Sequence, residues 1–242
     1  MSSLLTKAEK LSRLLQVQRW RRALKQHRVA ASVEHQTVLQ KLGPIQLVVD
    51  IGANRGQFAL LARHQYPDAQ IVSFEPLVGP ASIYRKVFGG DQHVCVHEVA
   101  IGPEHDEVPI HISARDDSSS LLPISDLQAK TFAGTAEVGT ASITVKPLDA
   151  LLTSADISSP ALLKLDVQGY EYQTLQGCES LLSQFSYIYC ECSFVELYSG
   201  QRLASSVVDW LSARGFALAG IYNPYYDSTG LAIQADFLFV PQ

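Results

Sequence analysis

The chain has 242 residues, 47% hydrophobic and 18% charged, enough for one ordinary core with an appended element, and no stretch reaches the roughly 18 uninterrupted apolar residues of a membrane span. Its net charge of −5 is unevenly divided: residues 1–42 carry nine Lys and Arg against two acids, and the rest of the chain carries a net −12, which argues against a nucleic-acid substrate. Four cysteines with no C-x-x-C pair, and no apolar leader, point to reduced thiols in a cytoplasmic protein.

Residues 4–28 place Leu4, Leu5, Ala8, Leu11, Leu14, Leu15 and Val17 at helical spacing without Gly or Pro. They predict a basic amphipathic helix that either packs on its own domain or meets a membrane, a nucleic acid or a second subunit. His27 and His35, in or near it, read as surface residues. Gly43-Pro44 marks a boundary, giving a helical extension over 1–43 and a main domain over 44–242.

Leu47 to Phe58 is the most informative stretch. An apolar, β-branched run closes on Asp50, gives way to Gly52 and Gly56, and leads into a helical pattern: a buried parallel strand, a tight turn and a helix N-terminus. The dinucleotide fingerprint G-x-G-x-x-G brings bare backbone against a pyrophosphate. Here the pattern is Asp50-x-Gly52-x-Asn54-x-Gly56, with Asn54 where the second fingerprint glycine would stand. A strand-end acid repels a pyrophosphate but can pair with an ammonium, which suits S-adenosylmethionine and makes Asp50, Gly52, Asn54 and Gly56 candidate cofactor-binding residues.

Gly56 to Tyr66 continues as a helix, and Ile71 to Phe74 is a second strand ending on Glu75, where a carboxylate can accept from both ribose hydroxyls or cap the next helix. Ile83 to Phe88 reads as helix and His93 to Val99 as a third strand, leaving Ala100 to flank an adenine ring or simply end the strand. Val108 to Ser113 suits an edge strand. Residues from Ala114 to Gly139 lack periodicity and read as a lid or substrate-side insert, with Ser119 in a serine run able to offer hydroxyls and N–H groups to a ligand. Ser142 to Val145 is a short strand and Pro147-Leu148-Asp149 opens a short helix.

Ala161 to Leu165 is another buried strand ending on an acid, Asp166. It predicts a fourth strand beside the first, with Asp166 able to take a proton, position a hydroxyl, ligate a divalent metal or cap the helix beyond Gly169. With this segment the succession Val49-Asp50-Ile51-Gly52-Ala53-Asn54-Arg55-Gly56, Phe74-Glu75-Pro76, Ala100-Ile101-Gly102, Ser118-Ser119-Ser120-Leu121, Leu148-Asp149 and Lys164-Leu165-Asp166-Val167-Gln168-Gly169-Tyr170-Glu171 is complete. It resembles the FkbM-type methyltransferases, of the class I S-adenosylmethionine-dependent fold, over about Leu47 to Val240. The resemblance implies that Asp50, Gly52 and Asn54 surround the amino-acid part of the cofactor and Glu75 its ribose, and that the acceptor is a hydroxyl of a sugar or natural product. Many members carry Glu where this chain has Gln168, which leaves Asp166 and Glu171 for any chemistry or metal binding there.

Leu175 to Phe185 reads as a helix interrupted by Gly177, and Tyr187 to Cys192 as a fifth strand with both cysteines in the core and Glu191 on the other face, able to assist Asp166. Glu196 and Tyr198 are placed at the substrate mouth. Ser205 to Arg214 is a helix, and Phe216 to Tyr222 and Gln234 to Val240 are the last strands, joined through Asn223-Pro224-Tyr225-Tyr226 as a turn. The whole predicts a doubly wound, mostly parallel α/β sheet of about seven strands with a terminal hairpin. The expected reaction is methyl transfer from S-adenosylmethionine to a hydroxyl oxygen of a small molecule, with metal need and oligomeric state open. The competing readings are an NAD-dependent oxidoreductase and a non-catalytic nucleoside-binding scaffold.

Overall fold

A computed structural model describes the backbone of residues 2–242 and the side chains from Glu9 onward; Leu4, Leu5 and Ala8 therefore fall outside the described side chains. The basic segment is two helices, α1 (Ser2–Gln16) and α2 (Gln18–His27), broken at Val17, and α2 stops at Arg28 in the left-handed region (φ 58°). One face of the pair is packed: Leu14, Trp20 and Ala23 are buried and the Trp20 indole N–H donates to the Leu60 carbonyl at 2.9 Å. Arg21, Arg22 and Lys25 face solvent. A short helix, α3 (Gln36–Leu39), leads into the sheet.

β1 (Leu47–Ile51) is buried along its whole length. The turn after it starts α4 (Gln57–Gln65), and the chain returns through β2 (Gln70–Phe74), α5 (Val78–Val87) and β3 (Val94–His97). The strand predicted over His93 to Val99 stops at His97, and Ala100–Ile101 forms a separate short strand, β4. β5 (Asp106–Ser113), α6 (Asp126–Thr131) and β6 (Glu137–Lys146) follow. The segment expected to be irregular up to Gly139 thus holds a helix and the start of a ten-residue strand; the strand expected over Ser142 to Val145 begins five residues earlier, in a stretch too exposed to show an apolar pattern. These strands form a second sheet, ordered β4-β6-β5, over a small core of Ala100, Ile110, Ile143 and Val145.

The main sheet resumes with β7 (Ala161–Leu165), α7 (Glu171–Gly177), β8 (Tyr187–Ser193), α8 (Ala204–Ser212), β9 (Phe216–Tyr226) and β10 (Ala232–Pro241). Its order is β3-β2-β1-β7-β8-β10-β9, parallel from β3 to β8 and antiparallel at β10 and β9. This is the expected doubly wound, seven-stranded sheet. Leu47, Val49 and Ile51 point to a core shared with α7 and α8, while Val48 points to one shared with Trp20, Leu39 and α4. The helix expected from Leu175 starts earlier, at Glu171, and continues past Gly177 only as a 3-10 turn.

β1 and β7 lie side by side although five strands separate them in the chain, so this pair is the switch point at whose carboxyl end a doubly wound sheet opens a crevice. Gly56, predicted to touch the cofactor, has a different duty. It starts α4 at φ +89°, and a Cβ there would stand 2.6 Å from Phe88 and 3.0 Å from Tyr84. Gly56→Ala is expected to lose about 1–3 kcal/mol, from positive-φ strain and overpacking, read as a lower denaturation midpoint with an unchanged m-value.

Candidate active site

A cavity of about 700 Å³ opens at the carboxyl ends of β1, β2, β7 and β8. That volume is ordinary for a small-molecule site. Gly52, Asn54, Glu75, Ala100, Ser119, Asp166 and Glu191 all line it, so seven of the nine predicted residues converge there from six separate stretches of chain. Asp50 and Gly56 do not.

The turn after β1 is stitched to the end of β2. Gly52 N–H and Ala53 N–H donate to the Phe74 carbonyl at 3.0 and 3.1 Å, and Gly52 adopts φ +81° where a Cβ would meet the Asp166 carbonyl at 1.8 Å. Only glycine permits this approach of the β1 and β7 loops. Asn54 N–H donates to Glu75 Oε2 at 2.9 Å and Leu77 N–H to Oε1 at 2.8 Å, which fixes the carboxylate at the cavity edge. Burial pushes Glu75 up to about 7 against those two N–H groups. Each oxygen accepts one hydrogen bond and keeps capacity for another.

Asp50 was expected to meet the cofactor's amino-acid end, but its side chain is sealed from solvent and partnered by Lys164, whose Nζ lies 3.1 Å from Oδ1. This is an ion pair without hydrogen-bond alignment, and neither Asp50 oxygen accepts a hydrogen bond from the described residues. Burial pushes the Asp50 carboxyl up against the pull of Lys164. Burial works equally against the lysine's charge, yet Asp50 and then Asp166 hold Lys164 cationic. Lys164, not Asp50, reaches the cavity wall, with its ammonium 5.4 Å from the centre of the Phe58 ring. The signal was present in the sequence: a lysine inside the apolar run Ala161 to Leu165 needs a buried anion.

Asp166 and Glu191 are joined by Gln168. Gln168, at φ 55°, donates from Nε2 to Asp166 Oδ1 at 2.7 Å and to Glu191 Oε2 at 3.1 Å. Its carbonyl accepts from the Tyr198 hydroxyl at 2.8 Å, and Gln234 donates to the other Glu191 oxygen at 2.7 Å. Burial, then the nearby Asp166 and Asp236, raise Glu191 well above the usual carboxylate range. Glu171 is outside the cavity and secures the loop, accepting from Val167 N–H at 3.0 Å and Gly169 N–H at 3.1 Å. Tyr198 is buried behind Gln168 and Glu196 is exposed, so neither forms the predicted mouth.

The amide puts N–H groups where a cation would otherwise have to separate two carboxylates, and no cluster of three or more His, Cys, Asp or Glu suited to a metal exists among the described residues. Gln168→Glu would create one. That variant is expected to lose about 1–3 kcal/mol at pH 8 through like-charge repulsion and a lost donor, and to regain stability with millimolar Mg²⁺ or Mn²⁺, followed by thermal shift.

The serine segment forms a wall, fixed on several sides. Ser119 Oγ accepts from Ser113 N–H at 3.1 Å, Ser120 pairs with His111 through backbone bonds of 3.0 and 2.8 Å, and Asp116 binds Arg55 of the β1 turn. The far end of the cavity is lined by residues the sequence gave no reason to join: Arg28, His35, Asn223, Gln234 and Asp236. His35, expected on the surface, has a side chain only 14% exposed. The Asn223-Pro224 turn is instead part of β9, bulged so that Asn223 and Pro224 together oppose Ala235, which re-aims Asn223 at Asp236.

The family model described as the methyltransferase FkbM domain matches residues 50–218. The 2-O-methyltransferase NoeI of Sinorhizobium fredii is 29% identical over 78% of this chain and 77% of its own length, and Methyltransferase 1 of Beauveria bassiana is 26% identical over 71% and 72%. Among solved structures, a Streptococcus pneumoniae protein in complex with S-adenosyl-L-methionine superposes with a TM-score of 0.51 at 10% identity, over 87% of this chain and 73% of that one, a likeness of fold. With well over half its length matched by that model, the chain belongs to the FkbM methyltransferase family and is an S-adenosylmethionine-dependent methyltransferase.

Proposed function

We propose that the enzyme methylates a hydroxyl oxygen of a small polyhydroxylated acceptor, a sugar or a related natural product. The observation that carries this reading is the two-ended cavity. Its nucleoside end has a fixed carboxylate, Glu75, with free acceptor capacity beside a glycine turn, and its far end presents Arg28, His35, Asn223, Gln234 and Asp236 set among apolar residues such as Phe58 and Ala235. Such a wall suits a ligand rich in hydroxyls. The similarity to a 2-O-methyltransferase supports the same chemistry.

The residues present fit S-adenosylmethionine. Glu75 would accept from the ribose hydroxyls, the backbone of Gly52 to Asn54 would lie along the amino-acid part, and Ala100 and Ser119 would flank the nucleoside. The bound cofactor supplies a methyl group on a sulfonium, already a strong electrophile. The chain's own task is to orient an acceptor oxygen, exclude water and receive a proton. Asp166, steadied by Gln168 and 3.7 Å from Lys164, would accept a hydrogen bond from an acceptor hydroxyl and hold it in line. Glu191, its two oxygens committed to Gln168 and Gln234, would support that arrangement. No described helix is long and apolar enough to cross a membrane, and four free cysteines fit a reducing cytoplasm.

The test is transfer of label from methyl-labelled S-adenosylmethionine to a panel of methyl glycosides, polyols and catechols, with the methylated position read by NMR. Labelled methyl ether on a sugar or polyol is expected. The panel also includes amines and activated carbon acids, and label appearing only on these would refute the reading.

A further inference from the structure

His35 lies outside the matched residues, in the segment before the main domain, yet it is drawn into the far end of the cavity by three strands. Its Nδ1 is 3.0 Å from the Tyr189 hydroxyl and 3.3 Å from Asp236 Oδ2. The Tyr189 hydroxyl donates to Asp236 Oδ2 at 2.9 Å and Asn223 Nδ2 donates to the same oxygen at 2.7 Å. With the Tyr189 proton on Asp236, the phenol oxygen can accept from Nδ1–H; Asn223 Nδ2 lies 3.2 Å from the same nitrogen but is closer to Asp236 Oδ2, at 2.7 Å, and we take Nδ1 as the protonated nitrogen on that basis. The ring is packed edge-on against Phe58, 5.5 Å between centroids, so its plane is set. Nε2 makes no hydrogen bond among the described residues and is not among the buried orphan atoms, and His35 lines the same cavity as Gly52 and Asp166.

We propose that His35, oriented by Asp236 and Tyr189, is the general base that takes the proton of the acceptor hydroxyl. The inference rests on the hydroxyl-methylation reading. As the acceptor oxygen forms its bond to the methyl carbon, the carbon–sulfur bond breaks with its electron pair returning to sulfur, leaving S-adenosylhomocysteine. The O–H proton passes to Nε2, and the imidazolium later releases it to solvent. Asp236 is suited to balance the transient cation. Burial works to raise its carboxyl, but hydrogen bonds from His35, Asn223 and Tyr189 hold it below the usual range, so it stays anionic. The other charged groups around this end of the cavity are the Asp50–Lys164 ion pair of β1 and β7 and, from the segment before the sheet, Arg28 and the Lys10–Glu34 pair. An imidazole presenting one bare nitrogen, with a carboxylate behind the other, is the arrangement that fixes tautomer and ring orientation for proton transfer. Asp166, by contrast, already accepts from Gln168 and stands beside Lys164.

The experiment uses the full chain and the methyl glycoside that takes label best. His35→Gln is expected to lower kcat by about 10²–10³-fold while S-adenosylhomocysteine affinity by calorimetry stays within threefold. Added imidazole should restore part of the rate to His35→Ala and none to Asp166→Ala. Independently of turnover, ¹⁵N NMR of the histidine-labelled protein should show His35 protonated at Nδ1 and bare at Nε2, a preference lost in Asp236→Asn. A His35→Gln enzyme with more than a third of the wild-type kcat, or a ring protonated at Nε2, would overturn the assignment while leaving the methyltransferase reading intact. If the wild-type chain labels no hydroxyl acceptor at all, both fall together.

Discussion

Lys164→Met will destabilise the protein by about 3–5 kcal/mol, the largest loss expected of any single change near the site. Lys164 and Asp50 face each other across β1 and β7, in register, with side chains 5% and 0% exposed. Methionine matches the lysine stem in volume, so the change removes the ammonium, including its place over the Phe58 ring, and leaves no large cavity. It leaves the Asp50 carboxylate buried with no cation and no hydrogen-bond donor among the described residues. Such a group escapes only by protonation or by local opening. Either response disturbs the Gly52 turn, whose carbonyl also lies 3.4 Å from the Lys164 ammonium. The double variant Asp50→Asn with Lys164→Met should recover more than half of the loss, because it removes the stranded charge. Urea denaturation of the four proteins of the cycle measures this. A Lys164→Met protein within 1 kcal/mol of wild type would mean that the pair is not what keeps β1 and β7 charged and closed.

Glu75→Ala is expected to weaken S-adenosylhomocysteine about 10–100-fold, the loss of two charge-assisted hydrogen bonds from ribose hydroxyls, with Glu75→Gln intermediate. The carboxylate adds a pH signature. Hydroxyl donors favour its charged form, and burial holds it up to about 7 in the free protein, so binding must release a proton below that pH. Affinity should therefore rise from pH 6 to 8 in wild type and stay flat in Glu75→Gln. Stability of the free protein moves the other way. The folded value lies above the unfolded one near 4.5, so this group's contribution is fully present below 4.5 and is lost as pH rises through about 7, on the order of 3 kcal/mol in all. Calorimetry in buffers of different ionisation enthalpy reads the proton directly.

Much of this architecture could be read from the chain because parallel strands buried on both faces leave long apolar runs, and Leu47 to Ile51 and Ala161 to Leu165 are such runs. Of the acids and glycines that follow them, Gly52 and Asp166 line the cavity. Of β6 only Ser142 to Val145 was legible, because its first half, Glu137 to Ala141, is mostly exposed and has no apolar signature. Asp50 was read as a ligand group because spacing shows only that an acid ends the strand; its burial depends on Lys164, 114 positions away, coming into register beside it. Gly56 was misread for a similar reason, since the rings it accommodates belong to a helix whose approach is a tertiary fact. His35 and Asp236 carried no motif, and Asn223 was read only as part of a turn. A helical extension, a bulged edge strand and its neighbour meet only when the sheet has closed, and no spacing within one segment announces that.

The arrangement proposed puts a sulfonium nucleoside on the carboxyl edge of β1, β2 and β7 with its methyl directed toward the His35 end, and a crystal structure of the full chain with S-adenosylhomocysteine and the labelled glycoside is its sharpest test. Ribose hydroxyls are expected within hydrogen-bond distance of Glu75, homocysteine along Gly52 to Asn54, and the glycoside hydroxyl between Asp166 and His35 Nε2. A nucleoside bound elsewhere, or an acceptor hydroxyl far from both side chains, would contradict it.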